Sequence, residues 1–259
     1  MKLAFAGKGG VGKTTLTAWV ADYLAAQGED VWLVDADTAL SLGQASGLSR
    51  EALPDPLIRR DDLIRERIGS GMLHLNPDVS DLPESIAVDL PLGRPPRQDI
   101  TPGKKRLLVM GSVSGAGGGC ACEANALLKA MLANLIIERN EWVLVDLEAG
   151  VEHLGRGTVA SADGLVVVSE PSRRGLDTAA DVAKLGRELG LANQALVLNR
   201  AEPTDIPRIN GLPERTLFMP ELPELKARQL SDPAVVGLAD HTQPDEIANK
   251  LLNALGRQV

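Results

Sequence analysis

"GKGGVGKTT" occupies residues 7–15. It fits G-x-x-x-x-G-K-[ST] at Gly7, Gly12, Lys13 and Thr14. An apolar run, "KLAFA" (2–6), precedes it, and a helical pattern, "KTTLTAWVADYLAAQG" (13–28), follows it. Strand, glycine loop and helix in that order are the context a phosphate-binding loop requires. Gly7, Gly9, Gly10 and Gly12 let the backbone around Val11 curl until successive N–H groups face phosphate oxygens. The helix behind adds the positive end of its dipole at Lys13, Thr14 and Thr15. Lys13 is expected to reach the β/γ-phosphates, and the Thr14 hydroxyl to hold Mg²⁺.

Outward from the loop, short apolar runs alternate with helical patterns. Runs at 2–6, 31–36, 106–111, 142–147, 164–170, 194–199 and 215–220 read as buried strands. Helices are expected at 13–28, 123–139, 175–190 and 244–257. Strand–helix–strand alternation implies right-handed crossovers, and so an α/β fold. The expected form is a doubly wound, mostly parallel sheet with helices on both faces. The stretch 77–105 holds six prolines and reads as an irregular surface insertion in a single domain spanning 1–259.

Composition narrows the function classes. The chain has 259 residues, 35 acidic against 27 basic, for a formal charge of −8. That balance suits neither non-specific nucleic-acid binding nor an anionic membrane surface. "MKLAFAG" (1–7) lacks the apolar core of a signal peptide, and no apolar run approaches a membrane span. A cytoplasmic protein with reduced thiols is the expectation, with no nucleic-acid or membrane partner.

Acidic residues end two of the expected strands. "VWLVDAD" carries Asp35 and Asp37, and "WVLVDLEAG" carries Asp146. Both lie where open α/β sheets place their ligands, at the carboxyl edge.

Lys8 is a second lysine within the loop, and "KGGVGKT" resembles the signature of the deviant Walker A ATPases. That family includes the nitrogenase iron protein, the Min and Par positioning ATPases and several metal chaperones. The resemblance implies ATP as substrate and a homodimer with nucleotide at its interface. Lys8 of one subunit then reaches the phosphates bound by the other, as an arginine finger does. It implies that Asp37 lies near Mg²⁺ and orients the attacking water, and that Asp146 holds Mg²⁺ through water. Gly150 follows as part of a flexible switch. Asp35 has a capping or structural role as an equal alternative. Asn199 ends "QALVLN" where relatives place an adenine-reading asparagine; Glu170, Pro171 and Pro220 occupy positions bordering the base. Simple strand termination is the competing reading for both prolines.

"GSVSGAGGGCACEAN" (111–125) contains the only two cysteines, Cys120 and Cys122. Thiolates on one tetrahedral ion lie about 3.8 Å apart, given Zn–S bonds near 2.3 Å. On a flat strand residues i and i+2 stand about 6.5–7 Å apart, so the chain must bend, and the glycines permit it. A helix starting behind the pair favours thiolate. Two ligands do not close a site, but two copies supply four. A pair of small buried hydrophobes and a redox switch are the alternatives.

"GCAC" after a glycine run, together with "GVEHLGRGT" (150–158), is similar to the CooC-type ATPases. These are nickel-insertion accessory proteins for carbon monoxide dehydrogenase, with relatives serving acetyl-CoA synthase. The resemblance implies that Cys120 and Cys122 bind Ni²⁺ or Zn²⁺ at a dimer interface. It implies dimerisation on nucleotide or metal binding, and a client nickel enzyme. His153 reads better as a hydrogen-bonded structural residue than as a ligand, and Arg156 as a switch, dimer-contact or surface residue. Two other functions compete. A Min/Par-type positioning ATPase needs a basic face or membrane helix, and the last helix offers only Lys250 and Arg257 as bases. An iron–sulfur reductase or scaffold ATPase spaces its cysteines differently.

Overall fold

The computed structural model describes residues 1–68, 77–96, 99–111, 121–135, 141–148, 162–203 and 209–256; at 121–123 and 125 this is the backbone alone. Eight strands are described: β1 (Lys2–Ala6), β2 (Val31–Ala36), β3 (Val88–Leu90), β4 (Lys105–Val109), β5 (Trp142–Leu147), β6 (Gly164–Ser169), β7 (Gln194–Asn199) and β8 (Arg215–Met219). They form one sheet in the order β3-β4-β2-β5-β1-β6-β7-β8. Every pair is parallel except β3–β4. The chain steps from β1 toward β2 on one side and from β5 across β1 to β6 on the other. The loop after β1 therefore sits at the point where the strand order reverses, which is where such sheets bind ligands.

Alternation along the strands builds two cores. Leu3, Phe5, Val31 and Leu33 point to one face, where they meet α1 (Lys13–Ala26) and α8 (Thr242–Ala254). Ala4, Ala6, Trp32 and Val34 point to the other, under α3 (Asp61–Ile68), α5 (Ala121–Ala133) and α6 (Arg173–Glu188). Strands apolar on both faces are what a parallel sheet covered twice demands. The remaining helices are short: α2 (Leu42–Ala45), α4 (Leu82–Ile86) and α7 (Pro223–Arg228). Among the described residues, no helix is long and apolar enough to cross a membrane.

The stretch 77–105, expected to be irregular and superficial, departs from that reading. It supplies α4 and the antiparallel edge strand β3. It also sends charge inward. Lys105 Nζ lies 2.6 Å from Asp22 Oδ1, and Arg94 Nε lies 2.9 Å from Asp22 Oδ2. Arg94 pairs with Asp245 of α8 as well. Asp22 is on α1 and is 1% exposed, so an ionic cluster staples this stretch to two helices. Prolines in the sequence mask the strand because the ladder needs only three residues of it. α5 also begins earlier than expected, at Ala121, which puts the backbone of Cys122 inside its first turn.

Candidate functional site: a nucleotide cleft at the carboxyl edge

The loop after β1 is shaped by close approach. Gly7 has φ +152°, and a Cβ there would stand 2.1 Å from the carbonyl oxygen of Val168 on β6. Gly12 has φ +101°, and a Cβ there would meet Asn199 Nδ2 at 2.4 Å. Only glycine fits both conformation and space. Gly12 caps α1, whose first turn carries no acidic residue, so the amide ends present an uncompensated positive field.

Lys13 is 4% exposed. Its Nζ lies 3.6 Å from Asp37 Oδ2 and donates to the Lys8 carbonyl at 3.5 Å. Thr14 Oγ1 donates to Asp146 Oδ2 at 2.6 Å, and Ser41 Oγ stands 3.5 Å from Thr14 Oγ1. The sheet explains this convergence: Asp35 and Asp146 are register partners on β2 and β5, and Asp146 also stands beside Phe5 of β1. Three strand ends thus aim at one point.

Burial drives the Asp146 carboxyl up to about 6; Asp37 adds to the rise, while the Thr14 hydrogen bond and Lys13 oppose it. Asp146 Oδ1 is buried without a hydrogen-bond partner among the described residues. An orphaned carboxylate oxygen, a threonine hydroxyl and the Asp37 carboxylate make an all-oxygen donor set that suits Mg²⁺, held partly through water. Asp35 takes the structural alternative. It is fully buried, and it accepts from the amides of Leu42 at 2.9 Å and Asp37 at 3.3 Å. Burial raises its carboxyl to about 7, against those amides.

The loop opens on a cleft of about 900 Å³. Gly9, Gly10, Gly12, Lys13, Thr14 and Thr15 floor it; Asp37, Thr38, Ser41 and Glu148 flank one side; Asn199, Pro220, Leu222 and Leu225 flank the other. Asn199 does more than border it. Its Nδ2 donates to the Val11 carbonyl at 2.8 Å, and its Oδ1 accepts the Arg200 amide at 2.8 Å. The residue thereby ties the phosphate loop to the end of β7. Glu170 and Pro171 are not among the cleft-lining residues; Glu170 instead pairs with Arg200, which does line it, at 2.8 Å. Lys8 is exposed at the loop tip and does not line the cleft of its own chain. His241 stands at the N-cap of α8.

Cys120, Ala149, Gly150, His153, Arg156 and His74 lie outside the described residues, as does the Cys122 side chain. Among the described residues no cluster of three or more His, Cys, Asp or Glu could hold a metal. Sequence reasoning passed over Thr38, Ser41 and Glu148, all cleft-lining. Adjacency to Asp37 and Asp146 was the available signal for Thr38 and Glu148.

The family model described as the CobQ/CobB/MinD/ParA nucleotide binding domain matches residues 3–210. The carbon monoxide dehydrogenase accessory protein CooC of Rhodospirillum rubrum is 37% identical over 248 residues, covering 93% of this chain and 90% of that one. An uncharacterized ATP-binding protein of Methanocaldococcus jannaschii is 36% identical over 211 residues, covering 79% and 77%. Among solved structures, the Pyrococcus horikoshii septum site-determining protein MinD, complexed with Mg-ADP, superposes with a TM-score of 0.63. It does so at 18% identity, over 99% of this chain and 96% of that one.

Proposed function

The chain belongs to the CobQ/CobB/MinD/ParA nucleotide-binding family, in its CooC-type branch, and is an ATPase; from that premise we propose that it is an ATP-dependent metallochaperone. In this reading it dimerises around nucleotide, carries Ni²⁺ or Zn²⁺ on Cys120 and Cys122 of two chains, and delivers nickel to carbon monoxide dehydrogenase or a related nickel enzyme. The observation that carries it is the 37% identity to the Rhodospirillum rubrum accessory protein along nearly the whole chain.

Each residue has a task in this reading. The glycine loop and the amide ends of α1 bind the ATP phosphates, and Lys13 neutralises charge on the β/γ oxygens. Thr14 and Asp37, with Asp146 through water, would hold Mg²⁺, which would neutralise charge on the phosphates. Asp37 orients the water that attacks the γ-phosphorus; the bond to the β-bridging oxygen breaks, and ADP and phosphate leave. Pro220 and Asn199 border the base. Lys8, exposed and off its own cleft, is free of that cleft's geometry and reaches the phosphates of a second copy. One rigid-body closure would move both the nucleotide interface and the cysteine pairs, which couples hydrolysis to metal transfer.

Mixing two inactive variants tests the shared site. Lys8→Ala and Asp37→Asn chains should each hydrolyse ATP poorly. If Lys8 acts across the interface, a 1:1 mixture recovers about a quarter of wild-type activity, because random two-fold pairing gives half heterodimers with one complete site each. No recovery on mixing contradicts it.

A further inference from the structure

Glu148 is a carboxylate of the cleft that the proposed chemistry leaves unused. It follows β5 by one residue and lines the cleft beside the loop after β2. Thr38 Oγ1 lies 3.0 Å from Glu148 Oε1 and 3.4 Å from Asp37 Oδ1. A hydroxyl has one hydrogen to donate. The shorter contact falls within normal hydrogen-bond range and the longer one lies beyond it, so the hydrogen goes to Glu148. Asp37 Oδ1 then accepts from the Ala39 amide at 2.9 Å, while Asp37 Oδ2 faces Lys13.

The sheet makes this contact more than a surface accident. The last described rung between β2 and β5 pairs Ala36 with Leu147. The Thr38–Glu148 bond lies one residue off that register and joins the two chain segments through side chains just past the point where backbone pairing stops. It joins the two loops that flank Lys13 and Thr14. Without it, the Thr38 hydroxyl is released to Asp37, and the loop carrying Asp37 loses a side-chain tether to the end of β5.

We propose that Glu148 is a positioning residue for ATP hydrolysis: by accepting the Thr38 hydroxyl hydrogen it fixes the loop after β2 and keeps Asp37 turned toward Lys13 and the cleft. This rests on the assignment of Asp37 as the water-orienting residue.

The test measures kcat, KM and ADP affinity for wild type, Glu148→Ala, Thr38→Val, their double variant, Glu148→Gln, Thr38→Ser and Asp37→Asn. Amide exchange at Ala39 in nucleotide-free protein is followed in parallel. Glu148→Ala and Thr38→Val are each expected to lower kcat about tenfold, the scale of one lost hydrogen bond, with KM and ADP affinity within about twofold. The double variant should be no worse than either single one. Glu148→Gln and Thr38→Ser keep an acceptor and a hydroxyl, so both should recover to within about threefold of wild type. Ala39 exchange should quicken in the two tether-breaking variants and not in the two conservative ones. An additive double variant, a Glu148→Gln as impaired as Glu148→Ala, or an unchanged kcat in either tether-breaking variant overturns the proposal. Full activity in Asp37→Asn instead overturns the role of Asp37 on which it rests. Retained ADP binding identifies each variant as folded, and Thr38→Val and Thr38→Ser carry the test if Glu148→Ala does not fold.

Discussion

Thr14 and Asp146 are 132 residues apart in sequence, yet Thr14 Oγ1 donates to Asp146 Oδ2 at 2.6 Å. The bond places the first turn of α1 against the end of β5. It also leaves Asp146 Oδ1 buried with no hydrogen-bond partner among the described residues, a donor available to a hydrated cation. Thr14→Ala should therefore reduce the gain in nucleotide affinity that Mg²⁺ provides by at least about tenfold, through loss of one donor and of its bond to Asp146. Affinity without Mg²⁺ should change far less. Calorimetric titration of ADP with and without Mg²⁺ separates the two, and an equal loss in both would contradict the assignment.

Asn199 holds the phosphate loop from behind, through Val11, and packs on Gly12. Asn199→Ala removes bonds to Val11 and to the Arg200 amide and leaves Val11 with a lost partner. A destabilisation of about 1–2 kcal/mol is expected, with nucleotide affinity reduced about tenfold. Denaturant unfolding and nucleotide titration check the two effects. Wild-type affinity in a destabilised variant would show that the loop keeps its shape without this strut.

The ionic cluster at Asp22 predicts acid sensitivity. Burial alone favours the neutral acid, but the Lys105 charge and hydrogen bond, the Gly93 amide and Arg94 outweigh it and hold the Asp22 carboxyl below its ordinary value. A carboxyl depressed in the folded state contributes stability that is present above its unfolded pKa, near 4, and is lost as pH falls through the folded value. Asp22→Asn leaves Lys105 buried without its carboxylate and should cost about 3–5 kcal/mol at neutral pH. The variant's stability should also lose part of the wild type's decline below pH 4. Denaturant midpoints from pH 3 to 7 test this, and parallel curves for the two proteins would contradict it.

The seven parallel strands were legible because each is a short apolar run next to a helical pattern. The glycine loop and the strand-end aspartates were legible because they sit next to those runs. What escaped was set by distant partners. Val88–Leu90 is a strand only because β4 offers it an edge, and its proline-rich surroundings argue locally for a loop. Arg94 reads as surface charge until Asp22, 72 residues away, is brought beside it. Asn199 was legible as a cleft residue, but its grip on Val11 spans 188 positions. The Thr38–Glu148 contact depends on the register of β2 against β5, which no local pattern encodes.

In the proposed metallochaperone, nucleotide-driven pairing of two chains assembles a metal site from Cys120 and Cys122. The most direct measurement is metal stoichiometry together with oligomeric state, taken with and without Mg-ATP, for wild type and the Cys120→Ser/Cys122→Ser variant under nickel or zinc titration. Wild type should bind about one ion per two chains in the dimer, four thiolates to each ion. The double variant should lose that ion while ATP binding persists. Undiminished stoichiometric metal binding by the double variant, or a full complement of metal on a wild-type monomer, would contradict it.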